Sequence, residues 1–313
     1  MMKICFAGLG SIGKRHLRNL IAVLGEYGQP REIHALRRGK QALDAETDAL
    51  IDRQAFCAEE LDNDYDIVFV TNPTIKHYET LRALLPITKH AFIEKPLFER
   101  ADYDIAALPF REGGVYYVAA PLRFSGVFRC VAEYAENERV FCARAISSSY
   151  LPEWRKGVDY RGTYSARKEL GGGVTLDLIH EWDYLKALFG RPKTLRRISG
   201  RFSGLEITSD DLACYLAGYD DKVVEVHLDY FGRDNRRVLE LYTREGVLYA
   251  DFLHRAVTLK RGLDERPLPV AEADPYLEEM RYFVGMCLGL RQENPNTVDN
   301  ALDTLKLILG GLE

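Results

Sequence analysis

Apolar and polar positions follow two different rhythms along the 313-residue chain. In the first third, short unbroken apolar runs at 3–7, 32–36, 67–70, 90–93 and 115–119 read as strands. Between them, 12–24 puts Ile12, Leu17, Leu20, Ile21 and Leu24 on one helical face, and a later helix turns Leu81, Leu84 and Leu85 inward. Strands buried on both faces lack polar alternation, and strands alternating with helices build a parallel, doubly wound sheet. After about Pro121 the rhythm changes. Runs at 140–150, 212–218, 223–230, 238–242, 247–251 and 256–260 read as strands, and several sit too close together for crossover helices, so these should be antiparallel hairpin neighbours. A helix at 175–189, stopped by Gly190 and Pro192, interrupts them. A last helix covers 298–309, capped by Thr297 and stopped by Gly310 and Gly311. The pattern predicts an α/β domain over 1–120 and an α+β domain with an open, mainly antiparallel sheet over 121–313.

Composition narrows the function classes. Lys plus Arg is 42 and Asp plus Glu is 47, for a formal charge of −5. A nucleic-acid binder needs a clustered basic field, which this balance does not supply. No apolar stretch approaches the roughly 20 residues that cross a bilayer, and the run before the first glycine is too short for a signal peptide. The expected location is cytoplasmic. Six scattered cysteines, without paired metal-ligand spacing, are expected to be buried thiols.

The chemistry-bearing motifs sit at strand ends. Gly8-Leu9-Gly10-Ser11-Ile12-Gly13 follows the first strand and opens the first helix. There the glycines permit a tight turn, let a pyrophosphate reach the backbone and let helix pack on strand, while the helix N-terminus offers N–H groups to phosphate. Gly8, Gly10, Ser11, Ile12 and Gly13 are therefore candidate dinucleotide contacts in a Rossmann domain. An NAD site usually carries an acid at the end of the second strand. Here Arg37 and Arg38 stand there, two guanidinium groups that suit a 2′-phosphate, so NADP(H) is favoured over NAD(H). Lys95, in Glu94-Lys95-Pro96, follows another strand and can shuttle a proton to a substrate oxygen. Asp177, His180 and Asp183, spaced by three after Gly171-Gly172-Gly173, should share a helix face, with a carboxylate orienting the imidazole as an acid/base. Two carboxylates and one histidine do not make a zinc site.

Taken together, these glycines, Thr71-Asn72-Pro73-Thr74-Ile75-Lys76-His77, Glu94-Lys95-Pro96, the 171–183 segment and Asn296-Thr297 resemble the Gfo/Idh/MocA oxidoreductases. The resemblance implies that Lys95 points at the reacting carbon beside the nicotinamide. It implies that His180 is the partner acid/base assisted by Asp177, and that Thr71, Asn72, His77, Glu94 and Lys95 line the cofactor site. It also implies a homodimer or homotetramer through the C-terminal sheet. Many members space the aspartate and histidine by four residues, whereas Asp177 and His180 are three apart. Many carry Asn before the arginine matched by Arg123, and here only Arg123 is kept.

The 147–164 segment holds three tyrosines, one tryptophan and two arginines. Aromatic faces pack on sugar C–H groups and arginine forks onto carboxylate or phosphate, so Tyr150, Trp154, Arg155, Tyr160 and Arg161, with Arg123, are candidate contacts for a small sugar-like substrate. The reading is hydride transfer between nicotinamide and a hydroxyl or keto carbon. Two other uses fit the same motifs: sugar isomerisation or glycosidic cleavage with internal cofactor recycling, and non-catalytic NAD(P) sensing. Fluorescence titration with both reduced dinucleotides is expected to give the tighter Kd for NADPH; tighter NADH binding would overturn the two-arginine argument.

Overall fold

The computed structural model describes residues 1–310. Its first part runs β1 (Met2–Ala7), α1 (Ser11–Glu26), β2 (Arg31–Leu36), α2 (Ala45–Asp48), β3 (Arg53–Ala55), β4 (Tyr65–Val70), α3 (His77–Leu84), β5 (Thr88–Ile93) and β6 (Tyr116–Val118). Then come α4 (Gly126–Asn137), β7 (Val140–Tyr150), α5 (Val174–Asp177), α6 (His180–Phe189), β8 (Thr194–Gly200), β9 (Leu212–Gly218), β10 (Val223–Asp229) and β11 (Phe231–Thr243). The chain ends with β12 (Val247–Asp251), β13 (Ala256–Arg261), β14 (Asp264–Leu268), α7 (Pro275–Cys287) and α8 (Val298–Gly310). Gly311, half of the expected stop, lies outside the described residues.

Two compact units form, Met1–Pro121 with Tyr276–Leu302, and Leu122–Pro275 with the chain from Asp303. Residues 276–302, assigned by sequence to the second domain, pack in the first. The reason is a buried acid. Glu279 Oε1 on α7 accepts from Tyr117 Oη at 2.8 Å and from the Ala120 N–H at 2.5 Å. Asn296 extends the attachment, accepting at its carbonyl from the Val118 N–H (3.0 Å) and donating Nδ2 to the Val118 carbonyl (2.9 Å).

The first unit is a six-stranded sheet in the order β3-β2-β1-β4-β5-β6, parallel throughout. Strand order reverses between β1 and β4, the place where open α/β sheets hold ligands beyond their carboxyl ends. The apolar runs are buried as their unbroken pattern requires: Ile4 to Ala7 and Ile67 to Val70 are all inside. At the centre Phe6 stacks on Phe69 (4.3 Å between ring centroids), Phe69 on Phe92 (5.2 Å), and Phe283 of α7 meets Phe92 edge-on (5.2 Å). Helix α1 buries Leu17, Leu20 and Leu24 as its spacing predicts, but Gly13, His16 and Val23 complete the stripe in place of Ile12 and Ile21. Close packing at Gly13 sets that rotation, since a Cβ there would lie 2.5 Å from the Gly8 carbonyl oxygen.

The second unit is an eight-stranded sheet, β14-β13-β12-β11-β7-β10-β9-β8. It is antiparallel except for the β7–β10 pair, which is parallel. Their long intervening segment frees that pair from hairpin geometry. Side chains alternate: Ala143, Ala145 and Ala213, Tyr215, Ala217 are buried, whereas Arg144 and Leu216 between them are exposed. One sheet face is thus covered and the other open.

The helix expected over 175–189 is two helices. Leu178 (φ −100°, ψ 30°) ends α5, and α6 starts at His180. Hydrophobic spacing continues through the break, so the pattern alone cannot locate it. The sequence reading also passes over β3, β8, β14, α2, α4 and α7. Thr297 caps the last helix as expected, accepting the Asn300 N–H at 3.1 Å. All six cysteines are free thiols, but only Cys5 is fully buried and Cys57 is exposed, which corrects the expectation of uniformly buried thiols. Among the described residues, no helix is long and apolar enough to cross a membrane, and no group of His, Cys, Asp or Glu could hold a metal ion. Truncating the central ring in Phe69→Ala is expected to cost about 3–5 kcal/mol in urea unfolding.

Candidate active site

In the first unit the glycine turn joins β1 to α1. Gly8 adopts φ +101°, and a Cβ there would lie 2.8 Å from the backbone N and Cα of Asn72, so both conformation and close approach require glycine. Thr71 Oγ1 donates to the Gly8 carbonyl at 2.6 Å and fixes the turn to the end of β4. Gly10 is different. Its backbone is ordinary (φ −70°, ψ −172°), and a Cβ there would meet nothing within 4 Å. Neither strain nor protein packing requires a glycine at this position. It stands at the N-terminus of α1, where no side chain caps the helix and no acid occupies the first turn. Leading N–H groups, the positive end of the helix dipole and bare backbone at Gly10 suit the approach of a phosphate. Ser11 and Ile12 form the helix's first turn.

The two arginines after β2 differ. Arg37 Nη1 donates to Gln54 Oε1 at 2.6 Å and Nη2 to the Gln41 carbonyl, so its guanidinium braces the following loop. Arg38 is exposed and has no hydrogen bond or ion pair among the described residues.

The loops after β4 and β5 are braced from within. His77, expected to line the cofactor site, is buried with Nε2 3.0 Å from the Asn72 carbonyl and Nδ1 3.1 Å from the Leu97 carbonyl. Burial depresses its pKa despite those carbonyls. Neutral, it has one N–H to donate to one of these carbonyls, and the ring fills the space between the two loops. Asn72 Nδ2 donates to Thr80 Oγ1 at 2.6 Å. Glu94 also turns inward: Oε1 lies 2.5 Å from His16 Nε2, and Oε2 accepts the Lys95 N–H at 2.9 Å. Burial pushes the Glu94 carboxyl up, but the hydrogen bond from His16 and the proximity of Lys95 outweigh it and hold the group below its ordinary value. Lys95 itself is half-buried, and the Lys95–Pro96 peptide is cis.

In the second unit the glycine triplet is a packing requirement, for a Cβ on Gly172 would lie 1.9 Å from the Tyr164 carbonyl oxygen. Asp177 Oδ2 accepts from Tyr230 Oη at 2.5 Å. Burial and the Asp177 charge push the Tyr230 phenol well up, so it stays a donor. His180 is buried at the first position of α6, so Asp177 and His180 do not share a helix face as the three-residue spacing suggests. Asp183 is committed elsewhere, accepting Arg123 Nε at 2.8 Å and Nη2 at 2.7 Å. Arg123, a candidate substrate contact, is thus half of a buried fork that orders α6. Breaking such a pair costs far more than its net contribution, because one charge stays stranded.

The aromatic segment after β7 forms a shallow surface crevice lined by Leu151, Trp154, Arg155, Val158, Tyr160, Thr163 and Ser165. Trp154 stands edge-on to Tyr230, 5.1 Å between ring centroids. Tyr150 and Arg161 lie outside that lining. Tyr150 is covered by Arg233 at 3.5 Å, and Arg161 is paired with Asp159 and Glu206 on the surface. The site residues that sequence reasoning left without a role are His16 and Tyr230. His16 is visible as the residue three beyond Gly13, but only its partner Glu94, distant in sequence, reveals what it does.

A family model described as "Oxidoreductase family, NAD-binding Rossmann fold" (Gfo/Idh/MocA) matches residues 2–108. An uncharacterized oxidoreductase, YrbE of Bacillus subtilis, is 24% identical over 260 residues, covering 77% of this chain and 73% of the relative. The fold is similar to UDP-N-acetylglucosamine 3-dehydrogenase GnnA of Acidithiobacillus ferrooxidans (TM-score 0.77, 17% identity, 98% and 95% of the two chains). It is also similar to levoglucosan dehydrogenase in complex with NADH and levoglucosan (TM-score 0.79, 16% identity, 98% and 94%). Gly10→Ala separates fold from ligand. Stability in thermal melts should change by no more than about 1 kcal/mol, while calorimetry should show dinucleotide affinity at least about tenfold weaker, or about 1.4 kcal/mol.

Proposed function

We propose that the chain, whose residues 2–108 match the Gfo/Idh/MocA model of NAD-binding Rossmann oxidoreductases, is a cytoplasmic NADP(H)-preferring dehydrogenase or reductase acting on a CH–OH or keto carbon of a sugar or sugar-derived substrate. The observation that carries the reading is the empty space over Gly10 at an uncapped, acid-free helix N-terminus. A pyrophosphate is the group that makes glycine useful there. Preference for the 2′-phosphate rests on Arg38, exposed and uncommitted where an acid would serve a ribose diol, with Arg37 shaping the loop that presents it.

When bound, the nicotinamide supplies the hydride acceptor or donor. The chain's own work is proton transfer, orientation and charge neutralisation. Lys95 Nζ takes the hydroxyl proton during oxidation and returns it during reduction, and its ammonium form stabilises the alkoxide between those states. His180 is the second acid/base, on a helix held by the Arg123–Asp183 fork. Asp177, with Tyr230 donating to it, is a fixed anion of the second unit. Thr71 and Asn72 hold the turn against which a dinucleotide would lie, and Glu94 and His77 brace the neighbouring loops.

A sugar-like substrate is supported by the names of two similar structures, dehydrogenases of UDP-N-acetylglucosamine and of levoglucosan. Within this chain it is supported by the crevice of Trp154, Arg155 and Tyr160. Aromatic faces there suit sugar C–H groups and the guanidinium suits an acidic or phosphorylated substituent. The open face of the second sheet, with Ile198 and Leu216 exposed, serves as the self-association surface in this reading.

Two variants test the assignment. Lys95→Met should keep NADPH affinity near wild type and lower turnover on an oxidisable sugar by about 10²-fold or more; a near-normal rate would refute the lysine role. Arg38→Ala should raise the Kd for NADPH at least about tenfold and leave that for NADH unchanged.

A further inference from the structure

Beneath the lysine loop lies a buried polar pair that neither the phosphate turn nor the proton transfer accounts for. His16, on the first helix, is fully buried, and Glu94, at the end of β5, nearly so. His16 Nε2 lies 2.5 Å from Glu94 Oε1. The imidazole sits on Phe92 (4.7 Å between ring centroids) and faces Phe69 at 6.4 Å and Tyr276 at 6.2 Å, so its surroundings are otherwise aromatic. Its other nitrogen, Nδ1, is buried without a hydrogen-bond partner among the described residues. The whole polar capacity of the ring is therefore spent on one carboxylate oxygen. The second oxygen of that carboxylate accepts the Lys95 N–H at 2.9 Å.

We infer that His16 is a positioning residue for Lys95: it orients the Glu94 carboxylate, which fixes the Lys95 backbone and sets the local field at its ammonium. A carboxylate this buried is costly unless hydrogen-bonded, and His16 is the donor that another element supplies. The strut joins the helix that opens on the phosphate turn to the strand end that carries the proton-transfer group. It gives that helix a second task, holding the lysine at a set height above the sheet. Titratable or charged groups near the strut include His77 and Glu99 beside the lysine loop, and Arg15 and Tyr276 beside the helix, with Arg15 over the Tyr276 ring at 4.3 Å.

The sign of the effect follows from the charges. An ionised Glu94 favours the protonated amine. Losing the His16 donor makes the buried carboxylate easier to neutralise, and Lys95 then gives up its proton at lower pH. The inference rests on reading Lys95 as the acid/base, but the measurement needs neither substrate nor cofactor. Competitive acetylation of the whole chain across pH, followed by peptide mass spectrometry, reads the neutral fraction of Lys95 directly.

In His16→Leu the midpoint for Lys95 acetylation should fall by about one pH unit, making the residue about tenfold more reactive at a fixed pH below the midpoint. His16→Gln, which keeps an N–H donor near the Nε2 position, should restore most of the wild-type midpoint. Glu94→Gln should match His16→Leu, and the double variant should add nothing further, since the two act through one path. An unchanged or raised midpoint in a folded His16→Leu protein, or a His16→Gln protein that behaves like His16→Leu, would overturn the inference. Should His16→Leu fail to fold, an unchanged midpoint in Glu94→Gln overturns it equally. A dehydrogenase assay that fails while these midpoints move would count against the function and not against the strut.

Discussion

No side chain fits between the start of α1 and the ends of β1 and β4. The backbone of Gly8 touches that of Asn72, and Gly13 touches the Gly8 carbonyl. This close approach fixes the rotation of α1, and the rotation puts His16 inside and leaves Ile12 and Ile21 half-exposed. It also aims the helix's leading N–H groups out beyond the sheet, over Gly10, where packing within the protein demands no glycine. The open helix N-terminus at Gly10 and the buried His16–Glu94 pair are two consequences of one steric condition.

Much of the fold is legible in the sequence because its signals are local. The buried strands of the first unit appear as unbroken apolar runs, and β7, β9 and β12 fall on the predicted residues. What escapes depends on partners far away along the chain. The break between α5 and α6 lies inside a continuous apolar pattern. The placement of α7 follows from Glu279 meeting the Tyr117 hydroxyl and the Ala120 amide, contacts that span about 160 positions.

The candidate residues divide in the same way. Residues whose roles come from backbone geometry, such as Gly8 and Gly13, are readable from spacing. Charged and aromatic residues declare only their type in a sequence, and type does not say whether a group is already engaged. Arg123 and Arg37 carry the right chemistry for an anion, yet one is forked onto Asp183 and the other braces a loop through Gln54. His77 is buried between two backbone carbonyls, those of Asn72 and Leu97. Arg38, by contrast, is exposed with no hydrogen bond or ion pair among the described residues.

The first unit is assembled from two separated pieces of chain, 1–121 and 276–302. During synthesis, its parallel sheet emerges from the ribosome long before Phe283 can close the aromatic centre or Glu279 can satisfy the Tyr117 hydroxyl. For that interval the nascent sheet has an uncovered flank and unpaired polar groups. Completion of the first unit thus waits on translation of its second piece, so a product terminated before residue 276 would lack α7 and leave that unit unfinished.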